Sequence, residues 1–145
     1  MNMARVKRFE MTVHTADRWI GDVAKQTGDS NVEAYGAMSA VLHALRDSLP
    51  QEESASLADQ LPLVIRGVYY EGWEPSSTPQ QHGHPEAFLR RIETEASMSS
   101  QEEAALATRA TMGVLGYDID EGEMEGVLAV LPPPIRSLVE DAPYL

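Results

Sequence analysis

His82, His84 and Glu86 stand within five residues of one another in the stretch "HGHPE". Imidazole and carboxylate groups bind zinc and other divalent metals. Here two histidines two residues apart lie in a Gly-Pro loop, and a further histidine would have to come from elsewhere. His82 and His84 are weak metal candidates, and no metal or cofactor is expected. His43 has the chemistry of a general base, but no nucleophile is placed beside it, so a surface histidine or a hydrogen-bonded interfacial one is the expectation. The acidic stretch "DIDEGEME", 118–125, suggests calcium only superficially. Counted from Asp118, Gly122 comes one position early for an EF-hand loop, and the twelfth position is Ala129 where a bidentate Glu is needed. An acidic helix start, favoured by the helix dipole, fits it better. There is no phosphate-binding glycine loop and no Gly-x-Ser-x-Gly elbow. The chain has no cysteine, which excludes thiol catalysis, disulfides and thiolate metal sites.

Two groups of residues are better suited to binding than to catalysis. Tyr69, Tyr70 and Trp73 place three large rings within five residues, and such rings favour interfaces. On a continuous helix Tyr69 and Trp73 share a side and Tyr70 is turned by about 100°. They serve either a partner surface or the closed end of a core. Arg66 and Arg136 could hold an anion, but pairing with internal carboxylates is the expected role, since Arg suits bidentate pairing.

The elements that position these residues come in two similar sets. Residues 33–70 laid over 103–140 at a constant shift of seventy match at Glu33, Ala34, Ala37, Ala40, Leu45, Glu53, Leu61, Pro62, Ile65 and Arg66. Upstream, Trp19, Ile20 and Val23 resemble Phe88, Leu89 and Ile92 at a shift of sixty-nine. Each set reads as helical. A first helix is expected near 15–27. Ser30-x-x-Glu33 and Ser100-x-x-Glu103 have the form of capping boxes. Ala34, Ala37, Met38, Val41, Leu45 and Leu49 then step by three and four along one helix face. Pro50 suits the first turn of a third helix, and Asp120-x-x-Glu123 marks a similar start later on. Pro62 cannot continue a preceding helix without losing a backbone bond, so Leu-Pro is expected to be a corner, with Ile65 and Val68 facing inward beyond it. Gly72 is a C-terminal stop. "ALATRATMGVLG" is a small-residue-rich helix. The segment 74–84 is rich in Pro, Ser, Gln and Gly and reads as a linker, with Pro85 opening a fifth helix.

The expected fold is all-α, a bundle of about eight helices from two tandem pseudo-repeated units, about 13–73 and 83–141. They form one domain over 1–145, because neither set looks self-sufficient. With 23 Asp and Glu against 11 Lys and Arg, the net charge is −12. That surface repels a phosphate backbone, so no nucleic-acid partner is expected, and anionic membranes are disfavoured too. The short basic run Arg5-Lys7-Arg8 reads as a frayed terminus. The N-terminus lacks the apolar run of a secretory signal, and no stretch approaches the ~18 residues of a membrane span. A cytoplasmic protein is expected.

The sequence resembles a bacterial family known as domain of unknown function 2267. The resemblance rests on Trp19, "AYGAMSAVLHALRDSLP" at 34–50, "LADQLPLVIRGVYYEGW" at 57–73, "FLRRI" at 88–92 and "VLPPPIRSLVE" at 130–140. Met38 and Ser39 stand where Leu and Arg would be expected. The resemblance implies an all-helical, cytoplasmic protein and no particular activity. A non-catalytic interaction or regulatory module is therefore the leading expectation, binding through the Tyr69–Trp73 region to a protein partner or to itself. The alternatives are a binder of anionic small molecules using a groove between the units near Arg66 and Arg136, and a metal-dependent enzyme using His82, His84 and His43.

Overall fold

The computed structural model describes residues 6–79 and 84–140, and these contain eight α-helices, one 3₁₀ turn and no strand. The helices are α1 (Lys7–Thr27), α2 (Asn31–Asp47), α3 (Gln51–Asp59), α4 (Leu63–Tyr70), α5 (Pro85–Ala96), α6 (Gln101–Asp118), α7 (Glu121–Val130) and α8 (Pro133–Glu140). The protein is an all-α bundle. His82 lies outside the described residues, as does Arg5.

The bundle is built around α2 and α6. A helix that is apolar or small on all sides belongs in an interior, and both helices fit that rule. In α2 every residue from Ala37 to Asp47 except His43 is buried. In α6 the run Ala110–Leu115 is buried without a break. Ala34, Ala37, Ala40 and Ala44 on one helix, and Ala104, Ala107 and Ala110 on the other, are buried almost completely. Side chains this small let α2 and α6 lie against each other while α1 and α5 each pack on both. Trp19 and Val23 from α1, and Phe88 and Ile92 from α5, fill the flanks. The buried apolar residues from Ala16 to Val139 form a single cluster.

Local signals set the helix ends. Ser30 Oγ accepts from the Glu33 N–H at 3.2 Å, and the Ser30 N–H donates back to Glu33 Oε1 at 3.0 Å. This is a complete capping box. Ser100 Oγ also accepts from the Glu103 N–H, but the Glu103 carboxylate turns to the N–H and hydroxyl of Ser99 instead. Asp120 caps α7 through the Glu123 N–H. Pro50 stands just before α3 rather than in its first turn. Helix α1 begins at Lys7, eight residues before the expected start, so Lys7 and Arg8 belong to a helix and not to a frayed end.

Leu61 and Pro62 make the expected corner between α3 and α4, with Pro62 extended at φ −57°, ψ 150°. Leu61 and Ile65 point into the core; Val68 is only half-buried, and Tyr69 takes the inward position instead. Arg66 does not meet a carboxylate. Its Nε donates to Ala58 O at 2.9 Å and its Nη2 to Leu61 O at 3.0 Å. Arg136 does the same seventy residues on, donating from Nε to Leu128 O and from Nη2 to Ala129 O and Leu131 O. The last carbonyls of a helix have no partner within it. A helix cut short by Leu-Pro leaves such carbonyls at a half-buried corner, and the guanidinium fork satisfies them there. The expectation of ion pairs is corrected on that ground.

Helices α3 and α7 meet along one seam, where Ser56 Oγ donates to Glu123 Oε2 at 3.0 Å. Glu53 sits here too. Burial, and then the charge of Glu123, hold its carboxyl above the usual range. The fold therefore disfavours ionised Glu53, and that cost is present once the pH exceeds its folded value.

Two outcomes are expected in denaturant melts. Leu61→Ala costs about 2–5 kcal/mol as a core truncation, whereas Pro62→Ala costs less than the leucine change. Glu53→Gln raises stability at neutral pH by well under about 1 kcal/mol, and the gain vanishes when the pH is lowered until Glu53 is protonated.

Candidate functional site

The three aromatic residues near the end of α4 separate into different environments. Tyr69 is a core residue with no exposed surface, and its hydroxyl donates to Ser54 O at 3.1 Å. Burial pushes its phenol far above the ordinary tyrosine value, so it stays a neutral donor. The helix ends at Tyr70, and Gly72 at φ 73° turns the chain away. Only glycine takes that conformation without strain. Trp73 consequently does not share a side with Tyr69. It stacks on Tyr70 with ring centroids 5.2 Å apart, while Tyr69 meets Tyr70 edge-on at 5.6 Å. Both Tyr70 and Trp73 are half-buried.

Beside them lies a buried ionic knot that the sequence offers only as adjacent opposite charges at the end of α2. Arg46 is 2 % exposed and Asp47 5 %. Arg46 Nε and Nη2 donate to the two Asp47 carboxylate oxygens at 2.8 and 3.0 Å. Its Nη1 donates to Tyr69 O and Glu71 O. Arg91 from α5 meets Asp47 Oδ2 at 2.6 Å. Burial pushes the Asp47 carboxyl upward, but the Arg46 and Arg91 guanidinium groups outweigh it and hold the group below its usual value. A crevice of about 240 Å³ opens over this knot, lined also by Gly72, Glu74, Ser77 and Thr78.

His43 is a strut. Its Nδ1 lies 2.6 Å from Glu95 Oε2 and its Nε2 2.7 Å from Val68 O. A carbonyl only accepts, so Nε2 carries a proton, and the other nitrogen is taken up by the carboxylate. The residue ties α2 to α4 and α5 and leaves no ring nitrogen facing a substrate. His84 is exposed at the start of α5, and Glu86 is exposed two residues on. Among the described residues no group of three or more His, Asp or Glu could hold a metal ion.

Arg66 and Arg136 are each bound to backbone carbonyls within eight residues of themselves along the chain. Arg66 does line a second opening, an open groove of about 540 Å³ where the start of α1 passes α4. Met11, Leu61, Pro62 and Leu63 supply apolar surface, and Lys7, Arg8 and Arg66 supply charge. No carboxylate is among its described lining residues. Three of the eleven Lys and Arg thus gather in one place on a chain with 23 Asp and Glu. The Val64 N–H donates to Thr12 Oγ1 at 3.1 Å and fixes the two helices there. Val6, just before α1, and Phe9, Met11 and Val13 in its first two turns are 56, 57, 60 and 50 % exposed; of these, Met11 belongs to the groove's described lining. The sequence signal for this surface is "VKRFEMTV", 6–13, where apolar and basic residues mix without the period of a core-facing helix.

Removing one partner from a buried ion pair strands the other. Asp47→Ala is expected to cost about 3–5 kcal/mol in urea melts. Because the folded value of Asp47 is lowered, its contribution is complete above the unfolded carboxylate range near pH ~4. It is lost as the pH falls through the folded value. The variant should therefore show a shallower acid-side loss of stability than the parent.

No curated protein matches the chain. The family profile described as "Uncharacterized conserved protein (DUF2267)" matches residues 16–138. It takes in both central helices, the Arg46–Asp47 knot and the two Leu-Pro corners, and the chain belongs to that family.

Proposed function

We propose that this protein is a non-catalytic interaction module, and that its contact surface is the groove between the start of α1 and α4. The supporting observation is the groove's own lining, where exposed Met11 lies with Pro62 and Leu63 beside the cations Lys7, Arg8 and Arg66. Large apolar side chains gathered on a surface mark contact sites. An open groove suits a macromolecule better than a small solute, which needs enclosure. The occupant of fitting chemistry is an acidic, apolar segment of a protein, whose carboxylates meet the three cations. Tyr70 and Trp73, half-buried at the far end of α4, serve in this reading to fix α4 against the ionic knot.

The reading treats the chain as one domain made of two tandem units, about 13–73 and 83–141. The paired corner arginines and the paired serine caps support that view. No helix is long and apolar enough to cross a membrane. A cytoplasmic setting, with a protein and not a nucleic acid as partner, accords with the net charge of −12.

A photoreactive amino acid at Met11 tests the proposal in cells. It should yield a discrete protein adduct that disappears when Arg8→Glu is added, while the same probe at Glu52 on α3 yields none. No adduct at position 11, or an equal one at position 52, would contradict it.

A further inference from the structure

The groove at one end of α1 has a complement at the other. A crevice of about 240 Å³ lies between the start of α2 and the junction of α5 with α6. Asp29, Glu33 and Glu103 line it, together with Val32, Met98 and Leu106, and no Lys, Arg or His is among its described lining residues. Among their described lining residues, the α1/α4 groove has three cations and no carboxylate, and this crevice has three carboxylates and no cation. Hydrogen bonding to the Ser30 backbone N–H and hydroxyl holds the Glu33 carboxyl below its usual value, so it is charged at neutral pH. The crevice is also apolar at its rim. Val32 is 82 % exposed, the highest figure among the exposed large apolar side chains described, and Leu106 is 37 % exposed. A valine held out on the first turn of a helix, ringed by acids, has the form of a plug for a basic apolar groove.

The two surfaces cannot meet within one molecule. Lys7 lines the groove and Thr27 lines the crevice. They stand at opposite ends of α1, about 30 Å apart at the helical rise of about 1.5 Å per residue. Complementary patches at opposite ends of a molecule pair heterologously, head to tail, and the products are rings or open chains.

We infer that the occupant of the α1/α4 groove is a second copy of this chain, docked through its acidic Val32–Leu106 face. The inference rests on the reading of the groove as a protein contact surface. Electrostatic attraction between exposed groups brings the copies together and weakens in salt, while the apolar side chains supply the buried centre of the contact.

Sedimentation equilibrium on the purified full chain and two double variants tests this. Arg8→Glu/Met11→Asp disables the groove, and Val32→Lys/Leu106→Lys disables the crevice face. All four side chains are exposed, so the fold is expected to survive, and far-UV circular dichroism checks that it does. The parent chain should gain mass beyond a dimer with rising concentration at low salt and return toward monomer in about 0.5 M salt. Each double variant alone should stay monomeric. An equimolar mixture of the two should form a dimer and stop there, because only one competent contact remains. A parent chain that stays monomeric at every concentration overturns the inference; a photoadduct at position 11 to a different protein would then leave the contact surface standing. A Val32/Leu106 variant that associates like the parent also overturns it, since the contact would then be groove to groove. So does a mixture that remains monomeric.

Discussion

The close approach of α2 and α6 is the constraint on which the other helices depend. Both are buried around most of their circumference, and both present alanines where another helix arrives. Each needs cover from several neighbours. Helix α1 supplies it to both, and so does α5. The halves of the chain consequently interlock, because α5 lies against α2 more extensively than against α6. A half of the chain taken by itself would leave one side of its central helix in water. Burying α2 to its last residue also carries Arg46 and Asp47 inside. Charges in such a place persist only when they are paired and hydrogen-bonded, which the knot with Arg91 and the carbonyls of Tyr69 and Glu71 provides.

The Leu-Pro corners translate this core into surface features. At each one a short helix stops, a leucine enters the core and an arginine four residues past the first proline closes the freed carbonyls. The first corner sends α4 past the start of α1. There the backbone of Val64 meets Thr12, and the apolar floor of the groove is formed by Leu61, Pro62 and Leu63. The groove is thus a by-product of the way the chain turns between α3 and α4, and its charge comes from α1 and from the corner arginine. His43 and its contacts with Glu95 and Val68 hold the other end of α4. The placement of α4 is therefore fixed at both ends by polar contacts to different helices.

Helix periodicity made the fold legible where one face meets a core. The alanine and leucine steps of α2 predict both its extent and its burial. Serine caps and prolines mark most boundaries to within a residue or two. The start of α1 was hidden because Val6 offers no side-chain cap and the apolar residues that follow face solvent, so no core-facing period announces a helix there. The role of Arg66 and Arg136 was hidden for a different reason. Their partners are backbone carbonyls, which every residue has and no sequence pattern reveals. A helical wheel continued past Gly72 puts Trp73 beside Tyr69, but the helix ends at Tyr70 and Gly72 turns the chain, so the wheel does not apply to Trp73. The opposed charges of the groove and the crevice depend on which residues from distant helices come together, and spacing along the chain does not encode that directly.

The central claim is that the two halves share one interior and that neither encloses its own. Separate expression of residues 1–74 and 75–145, followed by thermal melts of each fragment and of their equimolar mixture, tests it most directly. The account predicts that each fragment alone lacks a cooperative transition and that mixing restores one close to that of the intact chain. A fragment that melts cooperatively as a monomer, with stability approaching that of the whole protein, would contradict it.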